Sequence, residues 1–225
     1  MTSPVLALAP PPPAAAVVFG DRLPLAVQYA DLLAGAGVER GLIGPREPAR
    51  LWERHLLNCA GLAELLAPGE LVLDLGSGAG LPGLVLGVLR DDVTIELVEP
   101  LLRRATFLTE AVEALGLRHV SVRRARGEEL AGKVSADVVT ARAVAPLDRL
   151  GGWALPLLRA GGRLLALKGE AADGELEQSW PALRKAGAES AKVVTVGSAA
   201  TLTEARVVVV VRGPGAADRR KVDRR

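Results

Sequence analysis

The chain has 225 residues, a formal net charge of +2, and a composition that is 49% hydrophobic and 24% charged, which together predict one ordinary α/β domain with its own core. One cysteine (Cys59) and two histidines (His55 and His119) exclude a disulfide scaffold and an ordinary Cys/His zinc site. No apolar run reaches the length of a membrane span and no basic secretory signal stands at the N-terminus, so we expect a cytoplasmic protein.

The first part of the chain is predicted to form an arm and a small helical cap. Residues 1–16 are rich in proline and alanine and have no usable period, which favours a disordered or polyproline-like arm. Apolar residues then recur at helical spacing over 25–36, and a second helix is predicted over 49–66. We therefore expect an N-terminal helical cap over residues 17–67.

The pattern changes at Leu71, where short apolar runs begin to alternate with helical segments. Strands are predicted at LVLDL, TIELVEP, HVSVRR, ADVVTARAV, GGRLLALKG, AKVVTVG and ARVVVVVRG. The helices between them imply right-handed crossovers and a mainly parallel sheet, whereas the turn between the last two strands, GSAATLTE, is too short for a crossover. Residues 68–212 are thus expected to form an α/β domain with a seven-stranded, mostly parallel sheet and one antiparallel strand near its edge. This is the outline of the Rossmann-like class I S-adenosylmethionine-dependent methyltransferase fold.

The last segment, residues 213–225, is predicted to be a basic, flexible tail. Its final eight residues, from Asp218 to Arg225, carry five basic and two acidic side chains, so the rest of the chain sums to −1. A solvated tail and a segment that grips a phosphate backbone both explain this charge, and both interpretations stay open.

A glycine-rich loop is predicted between the first strand and the helix after it. Asp74 precedes Gly76-Ser77-Gly78-Ala79-Gly80, and glycines allow a ligand to approach the backbone closely while the helix offers free N–H groups. Glu99 ends the second strand, where a carboxylate can accept both hydroxyls of a ribose. Asp74 suits a group that organises the loop and binds the methionine amine of a cofactor. It equally suits a buried structural carboxylate that caps the loop.

The loop alone does not identify the cofactor. Residues 78–83 also fit G-x-G-x-x-G, and an acidic residue after the second strand suits NAD as well as S-adenosylmethionine. Hydride transfer usually requires an acid/base side chain, and the candidates are few: His55, His119, Tyr29 and Lys168. Methyl transfer mainly requires alignment of an activated methyl group with a nucleophile. A methyltransferase is therefore favoured, with an NAD-dependent oxidoreductase and a non-catalytic cofactor-binding RNA module as alternatives.

A resemblance to a known family extends from about residue 51 to 169. It rests on six segments in this order: RLWERHLLNCAGL, VLDLGSGAGLPGLVLG, FLTEAVEALGL, ARGEEL, VVTARAVAPLDRL and LLALKG. These segments resemble the ribosomal small-subunit methyltransferase G family, also called glucose-inhibited division protein B. The resemblance implies S-adenosyl-L-methionine-dependent methylation at N7 of one guanosine in the decoding-centre hairpin of 16S rRNA. It also implies the small ribosomal subunit as partner and a monomeric enzyme that needs neither a metal nor a membrane.

The resemblance assigns functional residues position by position. The positions that match the family's cofactor site are Gly76, Gly78, Leu81, Glu99, Gly127, Glu128 and Arg142. Asp74 is also expected to bind the cofactor, because it lies just before the glycine-rich loop. The expected substrate contacts are Arg142, Lys168 and His55. No catalytic base is expected, because N7 of guanine keeps an unshared electron pair at neutral pH.

Three of these residues allow two interpretations each. Arg142 ends the fourth strand and either positions the substrate or forms a structural salt bridge with Glu128. His55 shares a helix face with Asn58, and it either contacts the substrate or is a satisfied polar group between cap and core. Lys168 ends the fifth strand and either binds a phosphate or is a solvated lysine.

Overall fold

The computed structural model of the protein describes residues 7–197 and 204–214. Residues 1–6 of the predicted arm, 198–203 of the predicted turn and 215–225 of the predicted basic tail lie outside the described residues. In the two described stretches, no helix combines the length and apolarity that crossing a membrane requires.

One mixed sheet runs through the described part of the chain. Its strands are β1 (Leu71–Leu75), β2 (Thr94–Val98), β3 (Val120–Arg123), β4 (Ala136–Arg142), β5 (Leu158–Lys168), β6 (Ala188–Val196) and β7 (Ala205–Arg212). They follow the order β3-β2-β1-β4-β5-β7-β6. β7 is antiparallel to both neighbours, β5 and β6, and the other pairs are parallel. The predicted sheet, with one antiparallel strand near its edge, is confirmed.

Helices pack on both faces of this sheet. They are α1 (Pro13–Phe19), α2 (Leu23–Leu32), α3 (Asn58–Ala60), α4 (Gly83–Leu89), α5 (Leu102–Ala114), α6 (Leu147–Ala154) and α7 (Ala172–Lys185). One cluster of buried apolar side chains joins α1, α2, α4 and α5 to the sheet, and a second joins α6 and α7 to it. Successive residues of a strand point to opposite faces, so Val72 belongs to the first cluster and Leu73 to the second.

The second predicted cap helix is longer than α3 alone. Leu51–Leu57 forms wide π-type turns, α3 continues them, and Gly61–Leu65 ends the segment in 3₁₀ turns. We call residues 51–65 the cap helix. Its buried residues, among them Leu51 and Leu56, belong to the core cluster that it shares with α4, so the cap is anchored directly on the main domain.

The prediction of a disordered arm up to residue 16 is wrong over its last four residues, which lie in α1. Proline is tolerated in the first turn of a helix and alanine has the highest helix propensity, so the composition of this segment also suits a short helix. Ala14 and Ala15 are buried, and the Phe19 ring packs edge-on against Trp52 with 6.3 Å between ring centroids. The indole N–H of Trp52 donates to the carbonyl of Ala9 at 3.0 Å and fixes the chain before α1 as well.

Candidate active site

The carboxyl ends of the parallel strands bring four predicted residues to one edge of the sheet. Asp74 lies near the end of β1 and Glu99 directly follows β2, while Arg142 and Lys168 are the last residues of β4 and β5. Ligands of open α/β sheets bind in the crevice at this edge.

A glycine-rich loop, residues 76–80, follows β1. Gly76 and Ser77 donate their N–H groups to the carbonyl of Val98, at 2.8 and 3.2 Å, so the loop is fixed to the end of β2. At Gly78 φ is +59°, a conformation that residues with a side chain rarely adopt. A Cβ built on Gly78 would meet only the carbonyl oxygen of Gly76, at 3.7 Å. The backbone at Gly78 is therefore open to the close approach of a ligand.

Glu99 ties this loop to the start of α5. One carboxylate oxygen accepts a hydrogen bond from the N–H of Gly78 and the other from the N–H of Leu101, both at 3.0 Å. The residue is 1% exposed, and the guanidinium of Arg104 lies 3.9 Å from it. Each carboxylate oxygen keeps a second lone pair, so ribose hydroxyls would still find acceptors there. The sequence did not indicate that Glu99 also holds the loop.

Asp74 is fully buried beside the loop. Its Oδ2 accepts the N–H of Gly83 at 3.1 Å, and a Cβ on Gly83 would lie 2.6 Å from that oxygen, so the contact requires glycine. Oδ1 has no hydrogen-bond partner among the described residues. The bond to Gly83 fits a loop-capping carboxylate, whereas the unpartnered oxygen fits a ligand for an amine. Burial raises the pKa of Asp74 to about 7.

Asp74→Asn is expected to flatten the pH dependence of stability. Because the pKa of Asp74 is higher in the folded chain than its ordinary value, the folded state binds this proton more tightly than the unfolded state does. The stability that the proton contributes is present at low pH and is lost as the pH rises from about 4 to about 7.

Urea unfolding between about pH 5 and about pH 8 checks this expectation. The free energy of unfolding should fall with rising pH in the unmodified chain and fall less in Asp74→Asn. Asp31→Asn, at an exposed position, is the control and should keep the full slope. Equal slopes in the unmodified chain and in Asp74→Asn would contradict the prediction.

Tyr29 of α2 supports the loop from the cap, a contact that the sequence analysis missed. Its hydroxyl donates to the carbonyl of Ala79 at 2.8 Å, and the side chain is 1% exposed. Burial raises the pKa of this hydroxyl well above its ordinary value, so it stays protonated and remains a donor. The sequence offered one indication of this contact, namely that Tyr29 places a polar hydroxyl on an otherwise apolar helix face.

Tyr29→Phe is expected to weaken binding of the cofactor that the family resemblance implies, S-adenosylmethionine, about fivefold, because binding would then have to order a loop whose buried carbonyl has lost its donor, at a cost on the order of 1 kcal/mol. The phenyl ring keeps the packing of α2, so the chain should stay folded. Isothermal titration calorimetry measures the affinity, and a thermal melt measures the stability. An affinity equal to that of the unmodified chain would mean that the Ala79 carbonyl is not needed to hold the loop.

Arg142 reaches across to the cap helix rather than to Glu128. One guanidinium nitrogen contacts Nδ1 of His55, and the other lies 3.3 Å from the Sγ of Cys59. Glu128 is exposed on the short 3₁₀ turn Gly127–Leu130. The alternative of a salt bridge between Arg142 and Glu128 is therefore wrong. That prediction was based on the opposite charges of the two residues, and it did not take into account that the cap helix packs over the end of β4.

His55 is a satisfied polar group between the cap and the sheet. Its Nε2 lies 2.6 Å from Oε2 of Glu47 and its Nδ1 faces Arg142, so both ring nitrogens are engaged. The residue is 7% exposed. The expectation of a direct substrate contact from His55 is corrected on this ground, because no ring nitrogen is left for a ligand.

Lys168 is paired rather than solvated. Its Nζ lies 2.7 Å from Oε1 of Glu175 and 3.3 Å from the carbonyl oxygen of Ala145, and the side chain is 14% exposed. The interpretation of a free, solvated lysine is wrong. Glu175 lies in the first turn of α7, and its place opposite the end of β5 had no signal in the sequence.

A cleft of about 850 Å³ lies between the cap and the carboxyl edge of the sheet. It is lined by Pro12, Ala14, Arg50, Glu53, Arg54, Leu57, Asn58, Arg142, Ala143, Leu167, Lys168 and Gly169. Four of these side chains are basic and one is acidic, which suits a polyanionic ligand. Asn58, which the sequence placed on one helix face with His55, lines this cleft.

The remaining predicted residues lie around the glycine loop. Leu81 is nearly buried at the end of the loop. Gly127 follows β3, and a Cβ on it would lie 2.9 Å from Leu75 at the end of β1. Gly127 therefore packs close to the loop, while its neighbour Glu128 is exposed. Contact of these residues with an adenine stays a prediction.

Comparison with known sequences identifies a family that this chain matches. A family model described as rRNA small subunit methyltransferase G matches residues 22–203. The ribosomal RNA small subunit methyltransferase G of Streptomyces coelicolor is 58% identical over 207 residues, which cover 92% of this chain and 87% of the relative.

Comparison with solved structures gives the same fold at low identity. An S-adenosylmethionine-dependent methyltransferase from Aquifex aeolicus superposes with a TM-score of 0.56 at 18% identity, over 79% of this chain and 97% of its own. The N-methyltransferase NodS from Bradyrhizobium japonicum, solved with S-adenosylhomocysteine, superposes with a TM-score of 0.51 at 15% identity, over 79% of this chain and 97% of its own. The predicted class I methyltransferase fold is confirmed.

Proposed function

The chain belongs to the rRNA small subunit methyltransferase G family, and from this premise we propose that it methylates N7 of one guanosine in the decoding-centre hairpin of 16S rRNA, with S-adenosyl-L-methionine as methyl donor. The observation that carries the proposal is that the family match, over residues 22–203, includes both the glycine loop and the four basic residues of the cleft. An oxidoreductase and a non-catalytic module are set aside, because the relatives are named as methyltransferases.

The residues around the loop fit the cofactor. The open backbone at Gly78 allows close approach, and the carboxylate of Glu99 has lone pairs for two ribose hydroxyls. The unpartnered Oδ1 of Asp74 offers an acceptor for the amine of the methionine part. When bound, S-adenosylmethionine supplies a methyl group that is already activated on a sulfonium, so the chain has to bind, orient and exclude water.

The cleft supplies the groups for an RNA substrate. Arg142 lines it from the end of β4, and its guanidinium can donate to the O6 of guanine or to a phosphate. Arg50 and Arg54 of the cap line the other side and suit contacts with the phosphate backbone. N7 of guanine needs no deprotonation before it attacks, so the absence of a base from the predicted site is consistent with this acceptor.

The partner and the place of action belong to the same proposal. We propose that the small ribosomal subunit, or a precursor of it, is the substrate particle, because the base to be methylated belongs to its RNA. The chain would then act in the cytoplasm as a monomer, since both sides of the cleft come from one chain.

Methylation of defined particles tests the proposal. The protein is incubated with radiolabelled S-adenosylmethionine and small subunits from bacteria that lack this enzyme, and the labelled nucleotide is mapped. Label at a single guanine N7 in the decoding-centre hairpin is expected. Label on another nucleotide, or no label on subunits, precursor particles and free 16S rRNA, would overturn the assignment of substrate and leave the fold unaffected.

A further inference from the structure

We infer that Glu47 is a positioning residue for methyl transfer, which it supports by holding the ring of His55 that in turn orients Arg142. The inference rests on the proposed function of Arg142 at the substrate cleft. Its basis is a chain of two contacts among three residues, which runs from Glu47 in the loop before the cap helix, through His55 of the cap helix, to Arg142 at the end of β4.

Glu47 has a fixed place in the loop that precedes the cap helix. Its N–H donates to the carbonyl of Gly44 at 3.0 Å, and its carbonyl accepts the N–H of Arg50 at 2.8 Å. The next residue, Pro48, is buried. A carboxylate on a backbone held at both sides can fix the position of the group it binds, which here is the imidazole of His55 at 2.6 Å.

The contacts of His55 determine which of its nitrogens carries the proton. A guanidinium only donates hydrogen bonds, so the nitrogen facing Arg142, Nδ1, must be the unprotonated acceptor. Nε2 then carries the hydrogen and donates it to the carboxylate of Glu47, which only accepts. The two neighbours thus require the same neutral tautomer and the same ring orientation.

The electrostatic surroundings agree with this assignment. Burial lowers the pKa of His55, and the charges of Arg142 and Arg54 lower it further, against the raising effect of Glu47. The hydrogen bond from His55 lowers the pKa of Glu47. At neutral pH the pair is therefore a carboxylate and a neutral imidazole.

Arg142 depends on this arrangement for its direction. In the part of the chain that the structure describes, its hydrogen-bonding contacts are His55 and Cys59, both on the cap helix, and thiol sulfur is a weak acceptor. Without Glu47 the imidazole can rotate or take the other tautomer, in which an N–H would face the guanidinium. Arg142 would then lose its stronger acceptor and its fixed orientation at the rim of the cleft.

The test combines kinetics with nitrogen NMR. Glu47→Ala is expected to lower kcat about tenfold while the Kd for S-adenosylmethionine stays the same, because misorientation of a positioning group affects the reacting geometry rather than cofactor binding. Glu39→Ala, an exposed glutamate of the cap, is the matched control and should retain kcat. In an Arg142→Met background, Glu47→Ala should cause no further loss, because the effect passes through Arg142.

The NMR arm does not depend on methylation. The chain has two histidines, so the imidazole nitrogen signals are few, and a His55→Asn variant assigns them. In the unmodified chain His55 should be neutral at pH 7 with the proton on Nε2, and in Glu47→Ala the signals should move toward a mixture of tautomers. A spectrum that is the same in both proteins, or a loss of kcat that is equal with and without Arg142, would overturn the inference. If the unmodified chain methylates no RNA, the proposed function fails while the NMR result still decides the link between Glu47 and His55.

Discussion

Gly78→Val is expected to reduce the affinity for S-adenosylmethionine by at least about a hundredfold while the chain stays folded, since a bulky group in a closely approached site excludes its ligand. The Cβ of this residue would point into the open space above the loop. A valine there would occupy the volume that a ligand in contact with the backbone needs. The substitution would also strain the hydrogen bond of 3.0 Å that the N–H of residue 78 donates to the carboxylate of Glu99.

Gly116→Val separates this effect from backbone strain. Gly116 follows α5 with φ of +65°, close to the +59° of Gly78, and a Cβ on it would also meet open space. Both variants should lose on the order of 1–3 kcal/mol of stability from the unfavourable φ. Calorimetric titration should then find cofactor binding lost in Gly78→Val and kept in Gly116→Val. Binding retained in Gly78→Val would place the cofactor elsewhere.

Arg142→Met is expected to lower kcat/KM for the RNA substrate by about a hundredfold or more, because the variant keeps a long apolar stem and loses every donor of the guanidinium. Arg142 lines the cleft from the strand end, and its hydrogen bonds to described residues go to the cap helix, so we expect it to meet the substrate. The affinity for S-adenosylmethionine should change by less than about threefold.

Arg118→Met is the matched control for overall charge. Arg118 is exposed between α5 and β3, on a different part of the surface, and its loss changes the net charge by the same amount. Single-turnover methylation and cofactor titration on both variants separate the two roles that the sequence assigned to Arg142. A large loss of cofactor affinity with unchanged RNA kinetics would move Arg142 to the cofactor side of the site.

The sequence predicted those parts of the site that are local in the chain. The glycine loop and Asp74 lie within seven residues of each other, and the end of β2 follows one crossover later, so pattern and topology sufficed to place Glu99 beside the loop. The mainly parallel sheet with one antiparallel strand near its edge followed from the lengths of the connections in the same way.

The parts that the sequence did not predict are single contacts between distant segments. Tyr29 and Ala79 are 50 residues apart, and His55 and Arg142 are 87 apart. A periodic pattern identifies the face of a helix that is buried, but it does not identify the backbone carbonyl or the ring nitrogen that one buried donor meets. Glu47 lies in a loop without any period, so nothing in its surroundings distinguished it from a solvated acid.

The position of β7 between β5 and β6 has a consequence for biosynthesis. Among the described residues β6 pairs only with β7, and the outer edge of β5 also pairs with β7, so neither strand edge is paired until residues 205–212 have been synthesised. A nascent chain released before residue 205 would expose two unpaired strand edges, which are templates for aggregation. Premature stop codons late in the gene are therefore expected to give insoluble products rather than partly active ones, as separation of lysates into soluble and pelleted fractions would reveal.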